Sequence, residues 1–275
     1  MYNRFLFIGY IILFAVSIRS YADENFPARK LFPEVKVIAL NDLYKESDKV
    51  VIVDARSKYE YDTLRIKSAV NIPLTSPTFE HDLKMIRKKT DKPIVFYCNG
   101  RTCRKSYQAV RKANALKITN CYAFDAGVFD WTKAYPNQAV LLGHSPVKKE
   151  DLIEKKEYQA HLLSPMKFGR RVGKKNVIVL DVRDRFQRDN IGFFPGAEKR
   201  VGLDEKAKLD KYIQMAKHNR KKLLIYDAVG KQVRWLQYSI KQAGLKDYYF
   251  MKGGAKSFYD TLEQQEWPIK TAAQP

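Results

Sequence analysis

The chain repeats itself, and that constrains its fold more than any other feature. Val50-Val51-Ile52-Val53-Asp54-Ala55-Arg56, an apolar run closing on Asp-x-Arg, returns as Val177-Ile178-Val179-Leu180-Asp181-Val182-Arg183. A small-residue turn follows each copy, Lys67-Ser68-Ala69 in the first and Pro195-Gly196-Ala197 in the second. Pro93-Ile94-Val95-Phe96-Tyr97 and Leu223-Leu224-Ile225-Tyr226 form a second matching pair. Short continuous apolar runs between Asp/Lys clusters are the pattern of strands buried on both faces. Helix-like segments follow, 106–116 and 233–245, ending at equal distances from the two strands, and in the first Ala109, Val110, Ala113 and Leu116 keep helical spacing. Phe124-Asp125-Ala126-Gly127 and Met251-Lys252-Gly253-Gly254 then close a later strand on glycine. Four matches in one order define two copies of a unit of about 120 residues. Alternating strand and helix signals predict an α/β fold, each copy a mostly parallel central sheet with helices on both faces.

Pro136, Gly143 and Pro146 interrupt the pattern between Tyr135 and Lys156, and a polar stretch over 148–157 follows. The expected organisation is therefore 23–146 and 147–275, preceded by a segment of another kind. In residues 1–22, Arg4 precedes an uncharged run over 5–16, and Ser20-Tyr21-Ala22 offers small residues at cleavage-site spacing. The run is shorter than the ~20 residues a spanning helix needs. An export signal removed near Ala22 is expected, giving a periplasmic or secreted protein; membrane contact follows only if the segment stays uncleaved. In such a compartment thiols can oxidise.

Ligands of parallel α/β sheets gather where strand ends lead into helix N-termini. In the first copy that point reads Cys98-Asn99-Gly100-Arg101-Thr102-Cys103-Arg104-Lys105-Ser106. Loop N–H groups and a helix N-terminus both favour thiolate over thiol, and adjacent guanidiniums act in the same direction. Cysteines so placed have pKa values lowered from ~8.5 into the range ~3.5–7.5. Cys98 is the candidate nucleophile. The bland alternative is a small apolar residue closing a strand.

The ordered set resembles the tandem rhodaneses, sulfurtransferases with two homologous lobes. The Asp54-x-Arg56 strand end, the 66–69 turn, the Phe96-Tyr97-Cys98 entry to the loop and Gly127-Val128-Phe129-Asp130-Trp131 carry the resemblance, over nearly all of the chain past residue 22. It implies that Cys98 accepts a sulfane sulfur from thiosulfate or a similar small anionic donor, forming a persulfide. A thiol or other thiophilic acceptor, small molecule or protein, then removes the sulfur. The loop from Asn99 through Gly100, Arg101, Thr102 and Cys103 to Arg104 would cradle the anion. No cofactor is implied.

The loop also departs from the family. Commoner rhodanese loops carry glycine three places after the cysteine; here Gly100 stands two places after it, and Cys103 follows. Cys98 to Arg104 fits the C-x5-R spacing of phosphatases, some of which share this fold with arsenate reductases. Cys103 has two readings: a resolving thiol in a redox protein, or a small residue joining loop to helix. In the second copy Asp227 stands where Cys98 does. A carboxylate carries no persulfide and repels anions, so that lobe is expected to be inactive, a structural or substrate-gating element. The resemblance usually has the live cysteine in the second lobe; here it is in the first.

Other constellations are missing. His81, His144, His161 and His218 lack metal-ligand spacing, so no metal is expected. Asp54 and Asp181 read as structural partners of Arg56 and Arg183, Phe129 and Trp131 as core, and Cys121 as a thiol without function in a stretch lacking from the second copy. The net charge of +21, from 51 Lys+Arg against 30 Asp+Glu, invites a polyanion-binding module through Arg87-Lys88-Lys89, Arg170-Arg171 and Arg220-Lys221-Lys222. Such triplets are usually solvated, and the excess is spread over both lobes, so no specific nucleic-acid partner is expected. What remains is a general attraction for small anions, with Arg101, Arg104 and Lys105 placed to use it.

Overall fold

The apolar runs of the repeat become the central strands of two sheets. The structure, a computed structural model, describes residues 25–188 and 192–264. The export segment read at 1–22 lies outside the described residues. The chain divides into two units between Lys149 and Glu150.

In the first unit the strands are β1 (Val51–Asp54), β2 (Leu64–Ile66), β3 (Val70–Asn71), β4 (Ile94–Tyr97), β5 (Cys121–Phe124) and β6 (Ala139–Leu141). Four of them form a sheet in the order β3-β1-β4-β5, parallel throughout. Side chains alternate across it. Val53, Ile94, Phe96, Cys121 and Ala123 face the helices Phe79–Lys89 and Lys105–Ala115, whose Phe79, Leu83, Tyr107, Val110 and Ala113 complete one core. Ile52, Val95, Tyr97 and Phe124 are buried as well. Phe124 meets Trp131 of the Gly127–Ala134 helix edge-on, with ring centroids 5.9 Å apart. A large side chain buried in this way stabilises the fold by about 1.5–3 kcal/mol. Trp131 is core as read, whereas Phe129 is half-buried.

The second unit repeats the plan with β7 (Leu162–Leu163), β8 (Val177–Asp181), β9 (Glu198–Arg200), β10 (Lys222–Tyr226) and β11 (Tyr248–Met251). The order is β7-β11-β10-β8-β9, again parallel. Val179, Leu224, Tyr226 and Met251 pack with Phe168 and Phe258 in one core. Leu223, Ile225 and Phe250 are buried too, as are Leu209, Ile213, Leu236 and Ile240 of the helices Lys206–His218 and Val233–Gln242. The outer position of β7 is marked in the first unit by one parallel bridge, Val37 to Ala123. The α/β expectation holds in both units.

Three differences from the sequence expectations stand out. The stretch around Cys121 does have a counterpart: Cys121 opens β5 opposite Ile94, and Tyr248 opens β11 opposite Leu223. The likeness of the two strands is hidden in the sequence because a thiol stands in one copy where the other has a tyrosine. The second helix ends at Gln242 rather than near 245, because Gly244 takes the left-handed φ of 71° that terminates helices. Finally, β2 and β6 form a small antiparallel pair in the first unit, three residues each and too short to leave a periodic signal. No described helix is long and apolar enough to cross a membrane.

Candidate active site

The loop at 98–104 begins where β4 ends and leads into the Lys105–Ala115 helix. The backbone N–H of Ala55 donates to the Tyr97 carbonyl at 3.0 Å, so the end of β1 lies beside the loop entry. Cys98 is fully buried. The Cys103 N–H donates to the Gly100 carbonyl at 2.8 Å, and this tight turn brings residue 103 back over residue 98. The Cα atoms of Cys98 and Cys103 are 6.4 Å apart, and a disulfide joins the two sulfurs. That separation falls inside the ~4.4–6.8 Å that a disulfide needs. The buried Ser106, on the first turn of the helix, holds its Oγ 3.8 Å from Cys98 Sγ.

A buried polar network supports the loop from below. Arg56 donates to Asp54 through Nε (2.9 Å) and Nη2 (2.6 Å), and both side chains are inaccessible to solvent. This is the structural ion pair the Asp-x-Arg context predicted, with Asp181 and Arg183 repeating it in the second unit. Burial opposes the charge on Arg56, but Asp54 outweighs it and holds the guanidinium protonated. Arg56 also reaches the loop, donating from Nη1 to Asn99 Oδ1 at 3.2 Å. Asn99 Nδ2 in turn donates to Glu60 Oε1 at 3.1 Å.

Glu60 belongs to a capping box at the start of the Lys58–Thr63 helix, accepting from the Ser57 N–H and hydroxyl. Its other neighbour is Lys105 Nζ at 3.6 Å, the first residue of the active helix. Burial would raise the Glu60 carboxyl, yet the charges of Lys105 and Arg56 and its hydrogen bonds leave it below the usual carboxylate range. Asn99 is therefore a strut of the loop, and Lys105 is ion-paired with Glu60.

The upper side of the loop is closed by the glycine turn after β5. The Val128 N–H donates to the Cys98 carbonyl at 3.0 Å. Gly127 adopts a φ of +70°, and a Cβ there would fall 2.6 Å from the Gly100 Cα. Only glycine fits so close an approach of two backbones. On the rim, Arg101 Nε donates to Asp130 Oδ2 at 2.7 Å and its guanidinium lies 5.3 Å from the Phe26 ring centre. Thr102 and Arg104 are exposed, and Arg104 serves as the helix N-cap residue. Asp125 accepts from Tyr107 Oη (2.5 Å) and from Arg29 Nε (2.8 Å), tying the active helix to the end of β5. Sequence reading missed Glu60, Asp125, Asp130 and Gly127 as parts of this site. Among them, only the glycine turn had left a signal.

The second unit shows what the loop does when no sulfur is present. Asp227 begins it, 3% exposed. One carboxylate oxygen accepts from the N–H groups of Val229 (3.1 Å) and Gly230, and the other from those of Gln232 (2.6 Å) and Val233 (3.1 Å). Four converging N–H groups are an anion cradle, here filled by the chain's own carboxylate. The Ala255 N–H donates to the Asp227 carbonyl at 2.8 Å, as Val128 does to Cys98. Gly230 has the left-handed φ of 73°, whereas Arg101 at the equivalent place is not among the left-handed residues. The two loops share anchors and differ in path. Two residues of the basic triplets are engaged locally: Arg87 donates to the carbonyls of Lys92 (2.9 Å) and Thr119 (2.9 Å), and Lys222 pairs with Asp247.

These two units, each with its strand-end loop, correspond to a known family. The rhodanese-like domain family matches residues 39–134 and again 164–261, and the chain belongs to it. The tRNA uridine(34) hydroxylase of Salmonella newport (strain SL254) is 27% identical over 115 residues, 40% of this chain and 31% of that protein. The chain thus spans about a third of the length of the curated relatives it matches. The structure of a thiosulfate sulfurtransferase from Pseudomonas aeruginosa is similar at 18% identity, over 84% of this chain and 43% of that one, with a TM-score of 0.36. The As-Sb reductase from Leishmania major gives 16%, 39%, 86% and 0.35 respectively.

Proposed function

We propose that the protein is a sulfurtransferase that moves a sulfane sulfur from thiosulfate or a similar anionic donor to a thiophilic acceptor through a persulfide on Cys98. The observation that carries this is the strand-end loop. Cys98 lies at the carboxyl end of β4, ahead of a helix N-terminus, in a loop whose counterpart binds a carboxylate with four N–H groups. Such a site favours a thiolate and steadies the departing sulfite. The second lobe is inactive in this scheme, because Asp227 both replaces the nucleophile and fills the cradle. The acceptor is a thiol, free or on a protein, and the setting is an oxidising compartment reached by export. The tRNA uridine(34) hydroxylases share a domain-length stretch, and their substrate is no part of this reading.

A second reading, thiol–disulfide chemistry through Cys98 and Cys103, is favoured by the disulfide between them. The first is tested by reducing the protein, adding thiosulfate and taking an intact mass. The expected result, read in Cys103→Ser so that no neighbouring thiol can remove the sulfur, is a gain of one sulfur atom that maps to Cys98, absent from Cys98→Ala. A Cys98→Ala variant that transfers sulfur to cyanide at the unaltered rate would falsify it.

A further inference from the structure

We infer that Cys103 discharges the Cys98 persulfide from within, making the protein a sulfane-sulfur reductase that releases sulfide and draws its electrons from an external dithiol. The inference rests on the persulfide reading above and replaces its external acceptor with a thiol of the same loop.

The first ground is reach. The turn closed by Cys103 N–H and the Gly100 carbonyl already carries the Cys103 sulfur onto Cys98, so the bridge forms in the loop as it is folded. An attacking group held this close outcompetes acceptors that must diffuse in. The second ground is access. Cys98 is fully buried while Cys103 is partly exposed. A dissolved acceptor meets the outer sulfur of the persulfide, but Cys98 Sγ itself is open to the neighbour in the loop. The same asymmetry directs reduction, since an external thiolate reaches the Cys103 sulfur and expels Cys98, the thiolate favoured by the helix N-terminus. Third, the second unit has lost both sulfurs together: Asp227 occupies the place of Cys98 and Gln232 that of Cys103. The remaining cysteine is no competitor. Cys121 is buried in β5 and burial pushes its thiol up to about 11.

The steps balance. The Cys98 thiolate attacks the outer sulfur of thiosulfate, whose S–S bond breaks, and sulfite leaves with the bonding pair. The persulfide takes up a proton. The Cys103 thiolate then attacks Cys98 Sγ; the bond from Sγ to the outer sulfur breaks, and hydrosulfide leaves with that pair. Two thiols have been oxidised to the Cys98–Cys103 disulfide and the sulfane sulfur has been reduced. An external dithiol returns both cysteines to the reduced state through a mixed disulfide at Cys103, itself ending as a disulfide.

The test uses the full chain, reduced and freed of reductant, mixed with thiosulfate and quenched with an alkylating agent. Wild type is expected to release a single equivalent of sulfide, and to finish with Cys98 and Cys103 refractory to alkylation. Adding a dithiol then gives continuous sulfide production. In Cys103→Ser the persulfide on Cys98 should persist and sulfide release should fall at least about tenfold. Cys103→Ala, checked for folding by circular dichroism, should behave alike. A wild-type persulfide that persists without sulfide overturns the inference and leaves sulfur transfer standing. Sulfide release from both variants at the wild-type rate also overturns it. If no variant and no wild type ever gains sulfur, sulfur transfer and this inference fall together.

Discussion

The two strand-end loops answer the same problem in opposite ways. Each begins one residue after a buried tyrosine, Tyr97 or Tyr226, and each is clamped by an N–H from the glycine turn that follows the next strand. In the second lobe the cradle is saturated, because one aspartate accepts four backbone N–H groups. In the first lobe a bond between two side chains closes the loop, and that bond can be opened by reduction. Support differs in parallel. Asn99 ties the first loop to Arg56 and Glu60, whereas Ala228 at the same place has no polar side chain to offer. One loop is thus held by its own carboxylate from inside. The other is held from below by side chains that leave its interior available to a reacting sulfur.

The largest expected effect lies in that lower support. Arg56 bonds Asp54, the Leu64 carbonyl and Asn99 with no exposure, while Arg183 bonds Asp181, lies over the Phe193 and Tyr226 rings, and is 8% exposed. Replacing Arg56 by Met strands a buried carboxylate, a change that costs about 3–5 kcal/mol. Arg183→Met should cost less, since Asp181 can gain water more easily. Urea unfolding of the two variants decides between them, and an equal or reversed order would show that the loop contacts of Arg56 add nothing.

Next in size is the self-filled cradle. Asp227→Ala removes the shared acceptor of four N–H groups and should destabilise the second unit by about 1–3 kcal/mol. The vacated cradle then admits an anion. Sulfate should therefore raise the thermal midpoint of Asp227→Ala more than that of wild type, the difference removing its general salting effect. Identical responses would mean that the loop collapses once the carboxylate is gone.

Much of this plan is written locally in the chain. β1, β4, β8 and β10 are buried on both faces, so they read as unbroken apolar runs, and the loop after each follows by position. Cys98, the loop and its replacement by Asp227 could be located for that reason. The supports could not. Glu60 meets Asn99 across 39 positions and Arg56 meets it across 43, with no spacing rule to link them. Asp130 entered only as one residue of the segment that carries the family resemblance, and its bond to Arg101 arises only when the glycine turn folds over the loop. At Asp227 the sequence led to a carboxylate that opposes anion binding by its charge; that it also occupies all four donors itself depends on the folded loop.

The smallest expected effect separates the two loops by pH. Glu60 supports the first loop and is held below the usual carboxylate range by Lys105, Arg56 and its hydrogen bonds, against burial. A group whose folded-state pKa is depressed stabilises fully above its unfolded value, about 4.3 for glutamate, and loses that contribution as pH falls through the folded value. Stability of the first unit should accordingly decline on acidification below the ordinary glutamate range. Glu60→Gln keeps an oxygen for Asn99 but surrenders the charge, and should cost about 1 kcal/mol at neutral pH. That cost should shrink as the solution is acidified, because the wild-type carboxyl becomes neutral as well. Urea midpoints of both proteins across the acid range measure this. A gap that stays constant with pH would mean that the charge on Glu60 contributes nothing to the support of the first loop.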